Sequence, residues 1–265
     1  MRAILGGSGF YRLTGMETTR RKVARTPYGL PSGALTFGRI NGCEEIVFLP
    51  RHGYGHTLAP HLINYRANIW GLRSVGVTEI IAISTVGGIR ADIPPGSIVL
   101  PDQIIDYTWG RVNTFIDENT PPVHIDMTTP YSDRLRKELR ESAQATGVVL
   151  VDGGTYGCTQ GPRLETAAEI RRMARDGCDI VGMTGMPEAA LARELGIEYA
   201  AICVVSNFAA GVGPSARSIA YQDVQSVYES AIQTVQQVLA HWCRRRPGSA
   251  CEAVAPCSAE TQVTS

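Results

Sequence analysis

Short, almost wholly apolar runs alternate along the chain with longer stretches whose apolar residues recur at helical spacing, and most of the runs stop at a glycine or a hydroxyl residue. Ala3-Ile4-Leu5, residues 79–83 and residues 200–205 carry apolar side chains at successive positions, or nearly so. That pattern predicts strands covered on both faces. Residues 35–40 and 45–49 flank Asn41-Gly42, a strong hairpin signal. Residues 97–105 and 148–151 read as further strands, and Ile180, Val181 and Met183 give the stretch around them the same character. Helices are predicted over residues 64–75 and 167–175, from Ser132 to just before Gly147, and from about Ser218 to Arg246. Another begins at Pro187, where a first helical residue tolerates losing its N–H. Residues 106–122 are polar and turn-rich, an excursion of the kind that carries lids or subunit contacts. After Pro247 the residues are small, polar and aperiodic, so residues 1–246 read as one domain and 247–265 as a disordered tail.

Composition narrows the partners. Among 265 residues, 25 basic side chains balance 25 acidic ones, so no strong field draws the protein to nucleic acid or an anionic membrane. Small neutral molecules fit better. No apolar run reaches the roughly 18 residues of a membrane span, and the N-terminus shows no signal-peptide pattern. A cytoplasmic protein is expected. Seven cysteines, Cys43, Cys158, Cys178, Cys203, Cys243, Cys251 and Cys257, lack metal-ligand spacing, which points to free thiols in a reducing compartment.

The candidate chemistry sits where strands end. Gly6-Gly7-Ser8-Gly9 follows the first strand as a loop whose backbone can approach a phosphate closely. It is not a dinucleotide fingerprint, because Arg12 occupies the third glycine's position. Ser8 either donates to an anion or closes a turn. Arg51 presents a planar fork suited to phosphate oxygens, with His52 and His56 beside it. Gly53 and Gly55 argue against a helix that would pair those histidines on a metal, so anion binding is favoured. Ser84 and Thr85 end another apolar run. Thr184 follows the run around Ile180 and reads as a phosphate contact or as a helix cap. One sheet could thus gather Ser8, Arg51, Ser84 and Thr184 around a single tetrahedral anion. Glu165 opens a helix, where the dipole alone would favour it, and His124 at the end of the excursion reads by default as solvated.

Taken together, Gly6-Gly7-Ser8-Gly9, Arg51-His52-Gly53 with His56, Gly87-Gly88, Gln160-Gly161-Pro162-Arg163 and Gly182-Met183-Thr184 ahead of Pro187-Glu188 form an ordered set. With it, the chain resembles the trimeric purine nucleoside phosphorylase and methylthioadenosine phosphorylase superfamily over about residues 1–245. Residues 159–166 and 182–194 are most similar to bacterial S-methyl-5′-thioinosine phosphorylases. The resemblance implies an α/β fold, a single domain with a central mixed, partly barrel-like β-sheet flanked by helices, the nucleoside phosphorylase-I fold. It also implies phosphorolysis of a purine nucleoside without metal or organic cofactor, inorganic phosphate being a co-substrate. By motif, Ser8, Arg51, His52, Ser84, Thr85 and Thr184 would bind phosphate, and Met183 would lie against the ribose. Leu164 takes a position that is aromatic in many relatives, and His124 would reach into a neighbouring subunit's site of a homotrimer. Arg51, Thr184 and Asn207 would carry catalysis.

Asn207 and Ala209 stand where family members selecting a 6-aminopurine carry aspartates. An amide can donate to O6 and accept from a protonated N7, and Glu165 can accept from N1–H, so a 6-oxopurine is expected. Tyr221 leaves the 5′ group open between methylthio and hydroxyl, since a tyrosine offers both a ring face and a phenol. An inosine or guanosine phosphorylase and a methylthioadenosine phosphorylase stand as alternatives. From another class, so does a purine-binding protein without turnover.

Overall fold

The apolar runs near residues 80 and 200 lie side by side in the computed structural model, which describes residues 1–118, 121, 123–219 and 225–245. The chain runs through β1 (Arg2–Gly6), β2 (Met16–Lys22), β3 (Leu35–Ile40), β4 (Ile46–Pro50), α1 (Tyr65–Ser74), β5 (Glu79–Gly88), β6 (Ile98–Leu100) and β7 (Gln103–Asp106). It continues with α2 (Asp133–Ala145), β8 (Val151–Asp152), β9 (Thr155–Cys158), α3 (Ala167–Arg175), β10 (Ile180–Gly182), α4 (Gly185–Glu194), β11 (Glu198–Phe208) and α5 (Gln225–Arg244). The described strands form one mixed, 11-stranded sheet flanked by helices, the α/β architecture expected.

Successive residues of a strand point to opposite faces, and here both faces are covered, which explains the unbroken apolar runs. Leu5, Ile80, Ala82 and Ala201 pack in one core with Ile69 of α1 and Leu191 of α4. Ile4, Ile81, Ile83 and Ile202 pack in the other, with Leu135 and Leu139 of α2 and Val235, Leu239 and Trp242 of α5. The caps follow the sequence signals. Asn64 accepts from Ala67 N–H, Ser132 from Leu135 N–H, and Thr166 forms a capping box with Glu169.

The sheet's topology makes room for a ligand. β11 pairs with β5 along its whole length, in parallel. On the opposite edge of β5, β1 pairs only with residues 79–82 and β10 only with residues 87–88, the second antiparallel. No described strand covers residues 83–86 on that edge. β1 and β10 therefore bring their carboxyl ends to the same gap.

Two strand expectations change, and two strands, β2 and β9, stand where none was expected. Residues 97–105 form two strands, because the chain turns at Pro101-Asp102: β6 pairs with β11 and β8, whereas β7 pairs with β9. In that turn the Asp102 carboxylate accepts from Gly154 N–H at 2.9 Å. Of residues 148–151 only the last is strand. β2 went unread because Met16–Lys22 is an exposed, charged edge strand with no apolar alternation. The expected tail, residues 247–265, lies outside the described residues.

Candidate active site

The gap on β5 opens into a cavity of about 620 Å³. Ser8 reaches it from the tip of β1, Arg51 and His52 from the tip of β4, and Met183 and Thr184 from the tip of β10. Ser84 and Thr85 face it from within β5 rather than from beyond its end, and Asn207 from within β11. Ala209, just past β11, and Leu164 and Glu165, in the loop before α3, complete the predicted set around this cavity. Reversal of neighbours along a sheet edge is where α/β folds place ligands. His124 is exposed and lines no part of the cavity in its own chain. Tyr221 lies outside the described residues.

At one end the cavity is built of hydroxyls and a buried ion pair. Thr184 stands at the N-cap position of α4 but makes no side-chain cap bond; its hydroxyl lies 3.3 Å from that of Ser84. The capping reading therefore fails. Gly7 closes tightly here, since a Cβ on it would be driven into the Ile83 carbonyl oxygen and stand 3.1 Å from Arg51 Nη1.

Arg51 is fully buried and is not an unengaged cation. Its Nε and Nη2 donate to the two oxygens of Glu188 at 2.7 and 2.8 Å, and its Nη1 donates to Ile83 O at 2.8 Å. Tyr199 donates its hydroxyl to the same carboxylate at 2.8 Å. Glu188 stands in the ordered motif of the sequence without a role there, and no helical spacing ties it to Thr184, because Met186 between them is extended (φ -118°, ψ 140°).

His52 lies against Arg51 with its Nδ1 2.8 Å from Leu58 O, an arrangement that puts the proton on Nδ1 and leaves Nε2 to accept. Burial, reinforced by the Arg51 charge, pushes its pKa down to about 4. A histidine with its folded pKa below the unfolded value binds its proton more readily in the unfolded chain. Stability should therefore be complete above about pH 6.5 and decline as the pH falls toward 4. Urea unfolding across that window should show the slope, and His52→Gln should flatten it. His56 packs on His52 at 4.5 Å between ring centres and adopts φ 57°, a left-handed conformation uncommon outside glycine.

The other end of the cavity is shaped by a β-bulge. The pairing of β11 with β5 shifts between Val205 and Asn207, so Ser206 is the extra residue and Asn207 is re-aimed. Asn207 Nδ2 donates to Phe208 O at 2.8 Å, and its Oδ1 accepts from Ser206 Oγ at 2.7 Å. One amide N–H and one lone pair remain. Glu165 is not merely a residue at a helix start, because its Oε1 accepts from Thr159 Oγ1 at 2.5 Å and its Oε2 is left to accept elsewhere. Met183 packs against Gly161, which has φ 61° and where a Cβ would stand 2.5 Å from Met183 Sδ.

None of the thiols among the described residues lines the cavity. Cys43, Cys158, Cys178, Cys203 and Cys243 are free and buried, and burial pushes the Cys158 thiol up to about 12, far from a reactive thiolate. Cys251 and Cys257 lie outside the described residues.

Comparison with known proteins gives the family. The model of a family described as the phosphorylase superfamily matches residues 1–243. A probable S-methyl-5′-thioinosine phosphorylase of Xanthomonas campestris is 49% identical, over 91% of this chain and 96% of its own. A 6-oxopurine nucleoside phosphorylase of Pyrococcus furiosus is 44% identical, over 89% of each chain. Among solved structures, methylthioadenosine phosphorylase from Schistosoma mansoni in complex with adenine superposes with a TM-score of 0.85 at 31% identity, covering 91% of this chain and 90% of that one. Matched over nearly all of its described length, the chain belongs to the phosphorylase superfamily.

Proposed function

We propose that the protein cleaves 6-oxopurine nucleosides with inorganic phosphate, converting S-methyl-5′-thioinosine to hypoxanthine and 5-methylthioribose 1-phosphate. The observation that carries the reading is the state of Asn207. With one N–H and one lone pair left by Ser206 and Phe208, it can donate to O6 and accept from N7–H, while Glu165 Oε2 accepts from N1–H. Adenine would turn a lone pair toward that carboxylate. The names borne by the 49% and 44% identical relatives support the same choice.

The chemistry asks for little beyond placement. The C1′–N9 bond breaks with its electron pair moving onto the purine, and a phosphate oxygen forms the new bond to C1′. Phosphate lying under the ribose near Ser8, Thr85, Ser84 and Thr184 supplies the nucleophile and negative charge facing a cation-like sugar carbon. Asn207 meets the charge arriving on the base. No covalent enzyme intermediate is needed, nor a metal or organic cofactor. A homotrimer in the cytoplasm, with His124 of each subunit at a neighbour's 5′ group, completes the proposal.

A nucleoside panel tests it. Base release should require phosphate, and methylthioinosine should be cleaved at least about tenfold faster than methylthioadenosine, since a site built to hydrogen-bond a group rejects the analogue lacking it. Equal rates would remove Asn207 and Glu165 as selectors. Release without phosphate would remove phosphorolysis, and binding without release would favour the non-catalytic reading.

A further inference from the structure

Arg111 lies in the polar excursion, where the sequence singled out no basic residue. We propose that it is a positioning residue that ties together the two loops forming the nucleoside side of the cavity, an inference that rests on the nucleoside phosphorylase reading. Its Nε donates to Gln160 Oε1 at 3.1 Å, and its Nη2 to Gln160 O at 2.7 Å and Thr159 O at 3.3 Å. Its Nη1 donates to Met183 O at 2.9 Å, Met186 O at 2.6 Å and the Tyr65 hydroxyl at 3.1 Å.

The reason for a guanidinium here lies in the sheet. β9 and β10 are parallel neighbours up to the pair Cys158 and Gly182, and beyond that pair their backbones leave the ladder. Carbonyls on the two departing segments need donors. Arg111 supplies them from one planar group that faces both segments at once, a task a lysine's single nitrogen cannot share out in the same way. Its hydrogen-bond partners among the described residues are all neutral oxygens, in contrast to Arg51, whose fork is taken by Glu188. The charge of Arg111 thus serves to gather carbonyl dipoles.

What it gathers decides the role. One segment leads on to Leu164 and Glu165, and the other carries Met183. Ser8, Arg51 and Ser84 hang on β1, β4 and β5, which Arg111 does not touch, and Thr184 is held separately by Ser84 and by Tyr156, whose hydroxyl accepts from Thr184 N–H at 3.3 Å. Loosening Arg111 should splay the nucleoside contacts and leave the phosphate contacts in place.

The experiment compares Arg111→Lys and Arg111→Ala with the natural chain, varying methylthioinosine at saturating phosphate and then the reverse. The nucleoside KM should rise on the order of tenfold or more in both variants while the phosphate KM changes by less than about twofold. Guanidinium ion, at concentrations far below denaturing ones, should lower the raised KM of Arg111→Ala. Amide exchange without ligand should quicken in residues 159–165 and at Met183 and Met186, and not at Thr184 or in β1 or β4. An unchanged nucleoside KM, an equal rise in both constants, or unaltered exchange in those segments would overturn the inference. Should Arg111→Ala fail to fold, Arg111→Lys decides. A natural chain that releases no base would refute the phosphorylase reading instead, and the exchange comparison would still judge Arg111.

Discussion

Glu188→Ala is expected to lower the unfolding free energy by about 3–5 kcal/mol, the penalty for leaving a buried charge without its partner. Arg51 and Glu188 are both fully buried, so the widowed guanidinium could not turn to water without moving the strands around it. For a chain of this size the loss corresponds to a fall in melting temperature on the order of 10 °C, readable by calorimetry or urea unfolding. The double variant Arg51→Met with Glu188→Leu should recover most of that stability, because an apolar pair of similar volume needs no compensation. It should not recover phosphate-dependent turnover. A loss below about 1 kcal/mol in the single variant would show that the pair is not held as tightly as its geometry states.

Asn207→Ala is expected to cut kcat/KM for methylthioinosine by about 10²–10³, the range found when a donor aimed at developing charge is removed. The truncation also removes the side-chain bonds to Ser206 Oγ and Phe208 O, so the bulged backbone itself loses a constraint. Phosphate KM should hold steady, since Asn207 stands on the purine side. Steady-state rates with each substrate varied in turn check both statements. A tenfold or smaller loss, or a matching rise in phosphate KM, would place charge stabilisation elsewhere.

Much of the frame could be read from residue order because its determinants are local. Unbroken apolar runs marked β1, β5 and β11, Asn41-Gly42 marked a hairpin whose turn residues both take positive φ, and Ser132 and Thr166 marked helix starts where they cap. The convergence of strand tips was legible for the same reason: each tip was recognisable alone, and α/β topology supplies the meeting point. Illegible were the partners. Glu188 meets Arg51 across 137 positions, and Arg111 meets Gln160 and Met183 across 49 and 72. No spacing rule links such residues; only the folded chain does. The orientation of Asn207 was equally hidden, since it depends on a bulge and on a backbone carbonyl, neither of which has a side-chain signature.

The uncovered edge of β5 has a thermodynamic consequence. A phosphate and a nucleoside seated there together would act as a splint across the gap that separates the carboxyl ends of β1 and β10 along β5. Each ligand would then find part of its ordering cost already met by the other, so joint occupancy should raise the melting temperature by more than the separate increments combined, with no change of shape required.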